Sequence, residues 1–312
     1  MGRVAVFAAA GAAFFAALAL TLAGVGDRAA ALPNWQALIL GLVQGATELL
    51  PISSSGHLIL VPWLGDWEYL KENDLFNQTF DVSLHLGTLI AVVAYFRHDL
   101  MQLAVAFGRT LRRRRIESGE ERVAWFVAIA TVPAALVGIL GEELIARRLG
   151  EPWQIALLLP FFGGVLWLAD RRPQTRKMSD LGLREAVAVG LAQCLSLLPG
   201  VSRSGVTITA GRFLALDRDS AARFSFLLLV PITGGAVVYK GVTDVLLGDL
   251  PPGMWGPFVV GSLASLASGL VAITALLGYV RRHDYTIFVV YRIVVGAAVL
   301  AVIAWGVRSA GY

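Results

Sequence analysis

Long apolar runs separated by short polar segments dominate the chain. Six uninterrupted runs lie at residues 79–97, 123–141, 153–169, 221–240, 257–280 and 286–307, and a further run occupies residues 4–24. Each run is long enough to form a helix that crosses a bilayer, which takes ~20 residues. The pattern therefore predicts an all-α integral membrane protein, a polytopic helical bundle.

The composition agrees with a membrane protein and excludes other classes. Hydrophobic residues make up 57% of the 312 residues and charged residues 15%, and the mean hydropathy is +0.70. Such values exclude a soluble enzyme. The net charge of +4 does not indicate a nucleic-acid partner, because the basic residues lie in loops, where they set topology. Cys194 is the only cysteine, so an intramolecular disulfide is excluded.

We predict an N-terminal extension followed by one membrane domain. Residues 1–33 contain the run 4–24 and form either an extra transmembrane helix or a signal segment. Residues 34–312 form the membrane domain, since no Gly/Ser-rich linker divides them. Within this domain we predict two repeats, at about residues 34–170 and 183–308.

The charge of the segments between the apolar runs predicts their orientation. Residues 98–122, 170–184 and 281–283 are rich in arginine, whereas residues 66–74 and 241–252 are acidic or weakly charged. The positive-inside rule places the basic segments in the cytoplasm. It follows that residues 35–65 begin and end outside, and that residues 183–216 begin and end inside.

Those two regions share one phrase. Gly41–Gly56 reads GLVQGATELLPISSSG and Gly190–Gly205 reads GLAQCLSLLPGVSRSG. Both phrases pass through Leu-Pro, which breaks a helix, and close on Ser-x-Ser-Gly. We interpret each region as a re-entrant helix hairpin, and the pair as an inverted-topology repeat whose tips meet near the membrane midplane. Ordinary kinked spans are the alternative.

The first tip carries acid–base chemistry. Gln44 and Glu48 stand four residues apart and share a helix face, so they can address one ligand or cation. Ser53–Ser55 stand where a new helix begins, which favours capping hydroxyls and free backbone N–H groups. His57 follows in the first turn and is suited to proton transfer near neutral pH. A carboxylate in an apolar setting predicts a functional site.

The second tip carries an anion-binding group. Arg203 is a permanent cation whose planar fork matches phosphate oxygens, and Ser202, Ser204 and Thr207 surround it in the sequence. A helix start adds N–H groups and a positive dipole end. Two such helix starts facing each other predict a pocket for a phosphate or diphosphate.

Other polar residues within the apolar runs are less informative. Asp81 and His85 stand four residues apart in the run 79–97, and they either line the access to the site or form an interfacial pair. Arg97, His98 and Asp99 are expected to form a solvated inner end of the same helix.

Three segments, QGATE, PISSSGHL and PGVSRSGVT, carry a family resemblance. They resemble the bacitracin-resistance family of undecaprenyl-diphosphate phosphatases, in order and with the expected spacing, over about residues 34–308. The resemblance implies an enzyme of the bacterial cytoplasmic (inner) membrane that hydrolyses a C55 polyprenyl diphosphate to the monophosphate and recycles this lipid carrier for cell-wall synthesis. It implies a site reached from the outer, periplasmic side, and a divalent cation, Mg²⁺ or Ca²⁺. The expected partners are the lipid substrate and the bilayer, and a homodimer is compatible with this scheme.

The resemblance also implies which residues form the site. The expected catalytic residues are Glu48, Ser54, His57 and Arg203. The expected substrate-binding residues are Gln44, Ser53, Ser55, Ser202, Ser204 and Thr207. Glu48 is the expected cation ligand, and a cation-binding role for Gln44 is weakened because its amide is neutral.

Two questions stay open at the level of sequence. Ser54 is the hypothesised nucleophile, and either His57 and Glu48 handle protons together or Glu48 holds the cation; His57 or a water molecule would also serve as the nucleophile. A membrane transporter or flippase for polyprenyl phosphate or another anion is the alternative function, since broken helices around an anion site are also typical of transporters.

Overall fold

The computed structural model describes residues 32–248 and 254–311, and its regular secondary structure is helical apart from one isolated bridge between Arg176 and Leu216. The α-helices are α1 (Asn34–Leu49), α2 (Ser54–Gly65), α3 (Glu68–Glu72), α4 (Asp74–Tyr95), α5 (Arg97–Arg113), α6 (Gly119–Arg148), α7 (Pro152–Asp170), α8 (Leu183–Cys194), α9 (Arg203–Phe213), α10 (Arg218–Lys240), α11 (Trp255–Val280) and α12 (Thr286–Ala304). A π-helical turn, Gly241–Leu246, extends α10. The predicted span or signal segment at 4–24 lies outside the described residues.

Five of the described helices are long and apolar enough to cross a membrane. These segments are Gly119–Gly141, Pro152–Asp170, Arg218–Val245, Trp255–Val280 and Thr286–Ala304. Together they confirm an all-α polytopic membrane protein, and they coincide with five of the six apolar runs after residue 34. The sixth run, residues 79–97, lies mostly in the first helix of a bent pair. This pair consists of Phe76–Tyr95 and Arg97–Arg113, and the two helices meet at 83°.

That bend corrects the interpretation of residues 97–122. The first helix ends at Tyr95, and Arg97, His98 and Asp99 begin α5 instead of ending α4, so the basic segment is largely helical. Contacts with α6 explain why α5 turns back: the Phe107 and Trp125 ring centroids lie 4.8 Å apart, and Trp125 Nε1 donates to Thr110 Oγ1 at 2.9 Å. Phe96 at the bend is buried against Phe226.

Both hairpins break where the sequence predicts and restart in the same way. The helix α1 ends before Leu50-Pro51, and α8 ends in a 3₁₀ turn, Leu195–Leu197, before Pro199-Gly200. Ser53 (φ 78°) and Ser202 (φ 77°) then take the same left-handed conformation, and each side chain caps its new helix by accepting from the N–H of the glycine three residues later. The prediction of serine N-caps is confirmed for these two residues.

Helices of one half of the chain pack against helices of the other half. The helix α1 lies along α11, and α8 lies along α6. Gly41 and Gly190, at the same place in the repeated phrase, allow this close approach: a methyl group on Gly41 would collide with the Gly261 carbonyl of α11, and one on Gly190 with the Ala130 backbone of α6. Further pairs are α4 with α10 and α7 with α12. The inverted-topology relation, the repeat boundaries and the re-entrant course of the hairpins stay predictions.

Candidate active site

The two hairpin tips meet through direct side-chain contacts. Arg203 Nη2, at the start of α9, donates to Glu48 Oε1, at the end of α1, over 3.0 Å. Beside this ion pair, Ser204 Oγ donates to the Leu50 carbonyl at 3.0 Å. The residues come from opposite halves of the chain, so the predicted convergence of the two tips is confirmed for these contacts.

Glu48 accepts hydrogen bonds from side chains of both tips. Its side chain is 6% exposed. Besides the bond from Arg203, its Oε2 atom accepts hydrogen bonds from Ser54 Oγ and from Gln44 Nε2, the latter at 3.4 Å. The Gln44 contact confirms the predicted shared helix face. A buried carboxylate requires such donors, because desolvation disfavours an unpaired charge.

Arg203 is held in place by the helix behind it. Its side chain is 10% exposed, and Nη1 donates to the Ser225 carbonyl of α10 at 2.7 Å. Thr207 Oγ1 lies 2.8 Å from the Arg203 carbonyl and 2.7 Å from Ser225 Oγ, so it ties α9 to α10. The predicted substrate-binding role of Thr207 stays a prediction. The guanidinium is thus fixed at two atoms before any ligand binds.

The serines of the two tips divide into two groups. Ser53 and Ser202 are committed to capping, and their hydroxyls lie near Ser55 Oγ (3.5 Å) and Ser204 Oγ (3.2 Å) respectively. Ser54 instead directs its hydroxyl hydrogen to Glu48. A serine that donates to a buried carboxylate has the arrangement of a nucleophile and its base.

His57 is oriented by two hydrogen bonds. Its Nδ1 lies 2.6 Å from the Ser53 carbonyl, and its Nε2 lies 2.8 Å from the Tyr291 hydroxyl on α12. The carbonyl can only accept, so Nδ1 carries hydrogen and Nε2 of the neutral ring accepts from Tyr291. The two rings stack with centroids 5.7 Å apart. Sequence analysis missed Tyr291, since a tyrosine in an apolar run has no distinguishing pattern.

Arg292, the next residue on α12, braces the breaks of both hairpins. It is fully buried, and its guanidinium donates to the carbonyls of Pro51 (3.3 Å), Gly200 (3.1 Å), Val201 (3.0 Å) and Leu159 (2.7 Å). Proline and glycine at the breaks leave the carbonyls of Pro51, Gly200 and Val201 without helical partners, and one guanidinium satisfies them. Sequence analysis also missed Arg292. A charged residue inside the run 286–307 was the signal that would have found it.

His85 belongs to the site as well. Its Nε2 lies 3.6 Å from Glu48 Oε2, and its side chain is 28% exposed. Of the two interpretations left open for Asp81 and His85, this contact favours the one in which His85 lines the site. The spacing of residues in the sequence did not predict that His85 on α4 contacts Glu48.

The oxygen donors near Glu48 fit a single divalent cation. Gln44 is fully buried, and its Oε1 has no hydrogen-bond partner among the described residues. Amide and carboxylate oxygens are the ligands that hard cations prefer. In the described parts of the chain no three His, Cys, Asp or Glu side chains cluster at metal-binding distance, so a cation held here relies on the Gln44 amide beside Glu48.

Comparison with known proteins points to one family. The family profile described as "Bacitracin resistance protein BacA" matches residues 37–298. The chain is similar to the undecaprenyl-diphosphatase of Geobacter sulfurreducens, with 47% identity over 267 residues that cover 85% of this chain and 96% of that protein. It is 44% identical over 275 residues to the undecaprenyl-diphosphatase of Pelobacter propionicus, covering 88% of this chain and 98% of that protein.

Proposed function

This chain belongs to the bacitracin resistance protein BacA family, and we propose from that premise that it hydrolyses undecaprenyl diphosphate to undecaprenyl phosphate and phosphate. This reaction recycles the lipid carrier for cell-wall synthesis, and it underlies bacitracin resistance in the family. One structural observation carries the proposal: Arg203 of one tip and the Ser54–Glu48 pair of the other are joined in one buried cluster.

The cluster suits a diphosphate headgroup attached to an apolar tail. Arg203 provides a fixed cation, and the N-termini of α2 and α9 provide backbone N–H groups and positive dipole ends. Phosphoryl transfer depends mostly on positioning and on neutralising charge, which this set of groups supplies. The polyprenyl tail would lie along the exposed apolar faces of the spanning helices.

Ser54 is the nucleophile in our scheme. Its Oγ forms a bond to the terminal phosphorus while the bond from that phosphorus to the bridging oxygen breaks, and its proton passes to Glu48 Oε2. The lipid monophosphate leaves. Water then attacks the phosphoserine, Glu48 returns the proton to Ser54 Oγ as that bond breaks, and inorganic phosphate is released.

His57 and Gln44 complete the scheme. His57 stands in the first turn of α2, and it would donate a hydrogen bond from Nε2 to a phosphate oxygen if the ring is protonated and the phosphate displaces the Tyr291 hydroxyl, while Nδ1 stays bonded to the Ser53 carbonyl. Gln44 and Glu48 would hold a divalent cation, Mg²⁺ or Ca²⁺. Such a cation, when bound, neutralises phosphate charge and stabilises the leaving group.

Phosphate release by the purified protein tests this function against transport. Detergent-purified protein should release phosphate from C55 diphosphate and Mg²⁺ with no membrane present, and EDTA should reduce the rate. Saturable binding of the lipid without release would overturn the proposal and favour a carrier. A phosphorylated residue trapped by quenching in denaturant at neutral pH, where phosphohistidine survives, and identified by mass spectrometry would separate Ser54 from His57. Inversion of configuration at a chiral terminal phosphorus, with no trapped residue, would favour direct attack by water.

The protein is a multi-pass membrane protein, and we further propose that it lies in the bacterial cytoplasmic (inner) membrane with its active site open to the outer, periplasmic side. Cysteine labelling of residues in 66–74 and 98–122 with a membrane-impermeant reagent tests the orientation, because only the first segment should react in intact cells. A homodimer stays a prediction, and the mass of the detergent-purified protein measured by light scattering would test it.

A further inference from the structure

Gln44 on α1 and His85 on α4 each direct a nitrogen at the Glu48 carboxylate, and the amide oxygen of Gln44 is left over. Gln44 Nε2 lies 3.4 Å and His85 Nε2 lies 3.6 Å from Glu48 Oε2. Gln44 also brings its Oε1 atom, which has no hydrogen-bond partner among the described residues. A buried acceptor without a partner destabilises the folded protein, so a ligand that satisfies it is favoured.

The ring of His85 faces this cluster with an acceptor nitrogen. Its Nδ1 lies 2.7 Å from the Asp81 carbonyl, which can only accept, so Nδ1 carries hydrogen. A protonated ring would direct Nε2–H at the Glu48 carboxylate, and a neutral ring would direct the Nε2 lone pair at it. A cation that binds between the two side chains therefore takes the place of that proton. A histidine whose other ring nitrogen donates to a backbone carbonyl is the arrangement typical of metal ligands.

The second half of the chain provides an internal comparison. Gln193 occupies the place of Gln44 in the repeated phrase, is also fully buried, and also has a partnerless Oε1 within the described structure. Its Nε2 donates to the Ala130 carbonyl, and Leu197 stands where the first half has Glu48. The unsatisfied oxygen recurs in both halves, but the amide of Gln44 contacts a carboxylate that also contacts an imidazole, whereas the amide of Gln193 contacts a backbone carbonyl.

We propose that His85 is a nitrogen ligand that completes, with Gln44 Oε1 and Glu48, a divalent-cation site in this protein. An imidazole ligand raises the affinity for zinc and other first-row transition ions relative to Mg²⁺ and Ca²⁺. The proposal deepens the proposed function, since the cation lies beside the phosphatase residues, but it is tested by direct binding without turnover.

Charge balance predicts when this cation binds. Glu48 carries one negative charge and already pairs with Arg203, so a divalent cation added alone leaves the cluster strongly positive. A diphosphate would offset that charge. We therefore expect cation and diphosphate to bind cooperatively, and we choose methylenediphosphonate, which resists hydrolysis, as the anion for the test.

Pulsed EPR on Mn²⁺-loaded protein provides the decisive readout. With Mn²⁺ and methylenediphosphonate, followed by removal of unbound metal, the wild-type protein should show ¹⁴N modulation from one imidazole. In wild-type protein with all histidines labelled with ¹⁵N, the ¹⁴N modulation should be replaced by ¹⁵N modulation. This experiment requires no variant. The substitution His85→Gln should abolish the modulation and weaken Mn²⁺ binding by ~10–100-fold, the range expected for loss of a supporting or direct ligand.

Matched variants separate the site from other histidines and amides. His57→Gln and His283→Gln should retain the modulation, since His57 is bonded to Ser53 and Tyr291 and His283 is exposed. Gln44→Met should weaken Mn²⁺ binding, whereas Gln193→Met should not. The proposal would be overturned if the wild-type protein bound one Mn²⁺ per chain without ¹⁴N modulation from a histidine. It would also be overturned if that modulation survived in His85→Gln. Phosphate release measured on the same wild-type sample tests the proposed function separately.

Discussion

The two hairpin tips have the same backbone and different chemistry. In both, a serine with φ near +77° caps a new helix, and a second serine two residues later lies beside it. The positions between and around these serines differ: Ser54 corresponds to Arg203, Glu48 to Leu197, and His57 to Val206. The repeated residues therefore build the tip, and in the proposed mechanism the residues that differ would supply the nucleophile and base on one side and the anion clamp on the other.

The comparison also shows why neither tip suffices alone. The phrase Gly41–Gly56, which contains Glu48 and Ser54, has no basic residue. The phrase Gly190–Gly205, which contains Arg203, has no acidic residue. Arg203 crosses to Glu48, and Arg292 ties the broken backbones of both tips to α12. The active cluster is therefore a property of the contact between the tips.

Removing the clamp should have the largest effect. Arg203→Ala is expected to lower kcat for phosphate release by ~10³-fold or more, because arginine side chains that neutralise transferring phosphate contribute on that scale. Arg203→Lys should recover little of this, since one ammonium cannot replace both donors to Glu48 and the Ser225 carbonyl. Arg223→Ala, which breaks a partly exposed pair with Asp219, is the control. Near-normal turnover in Arg203→Ala would contradict the comparison.

Removing the nucleophile and its neighbour in the other tip should follow. Ser54→Ala and His57→Ala are each expected to lower kcat for phosphate release by ~10²–10⁴-fold while the protein stays folded, although Tm should fall in His57→Ala because the buried ring and its two hydrogen bonds are lost. Ser196→Ala, whose hydroxyl bonds the Gln193 carbonyl away from the cluster, is the matched control. Ser54→Ala with undiminished turnover would exclude Ser54 as the nucleophile.

The brace between the tips should govern stability more than chemistry. Arg292→Met leaves the carbonyls of Pro51, Gly200 and Val201 without donors and should destabilise the fold by about 3–5 kcal/mol. Arg292→Lys should retain part of the stability. The measurement is Tm in detergent together with the yield of monodisperse protein. An unchanged Tm in Arg292→Met would show that the tips hold together without the brace.

The caps should show the smallest effect and test the equivalence of the two tips. Ser53→Ala and Ser202→Ala each remove a capping oxygen and should cost about 0.5–2 kcal/mol. Ser53→Gly and Ser202→Gly should cost less, because glycine adopts the left-handed conformation without strain. Chemical or thermal unfolding of the four variants tests the order. Opposite orders at the two tips would show that the tips are not equivalent.

The sequence predicted the parts of the molecule that depend on local pattern. Apolar runs gave the spanning helices, Leu-Pro gave both breaks, and Ser53 and Ser202 gave the caps, because hydrophobicity, proline geometry and capping act over a few residues. The bend at Phe96 was missed. It depends on contacts of Phe107 and Thr110 with α6, which no local pattern reports.

By itself the sequence determined the long apolar helices, where the two hairpins break and which polar groups stand at the breaks: Gln44, Glu48, Ser54, His57 and Arg203. Only the tertiary structure decided which partners these groups have. His85, Tyr291 and Arg292 reach the site from α4 and α12, far along the chain from the residues they contact. The physical reason is that a buried polar group must be satisfied by whatever the fold brings within about 3 Å, and that neighbour is set by helix packing rather than by spacing in the chain.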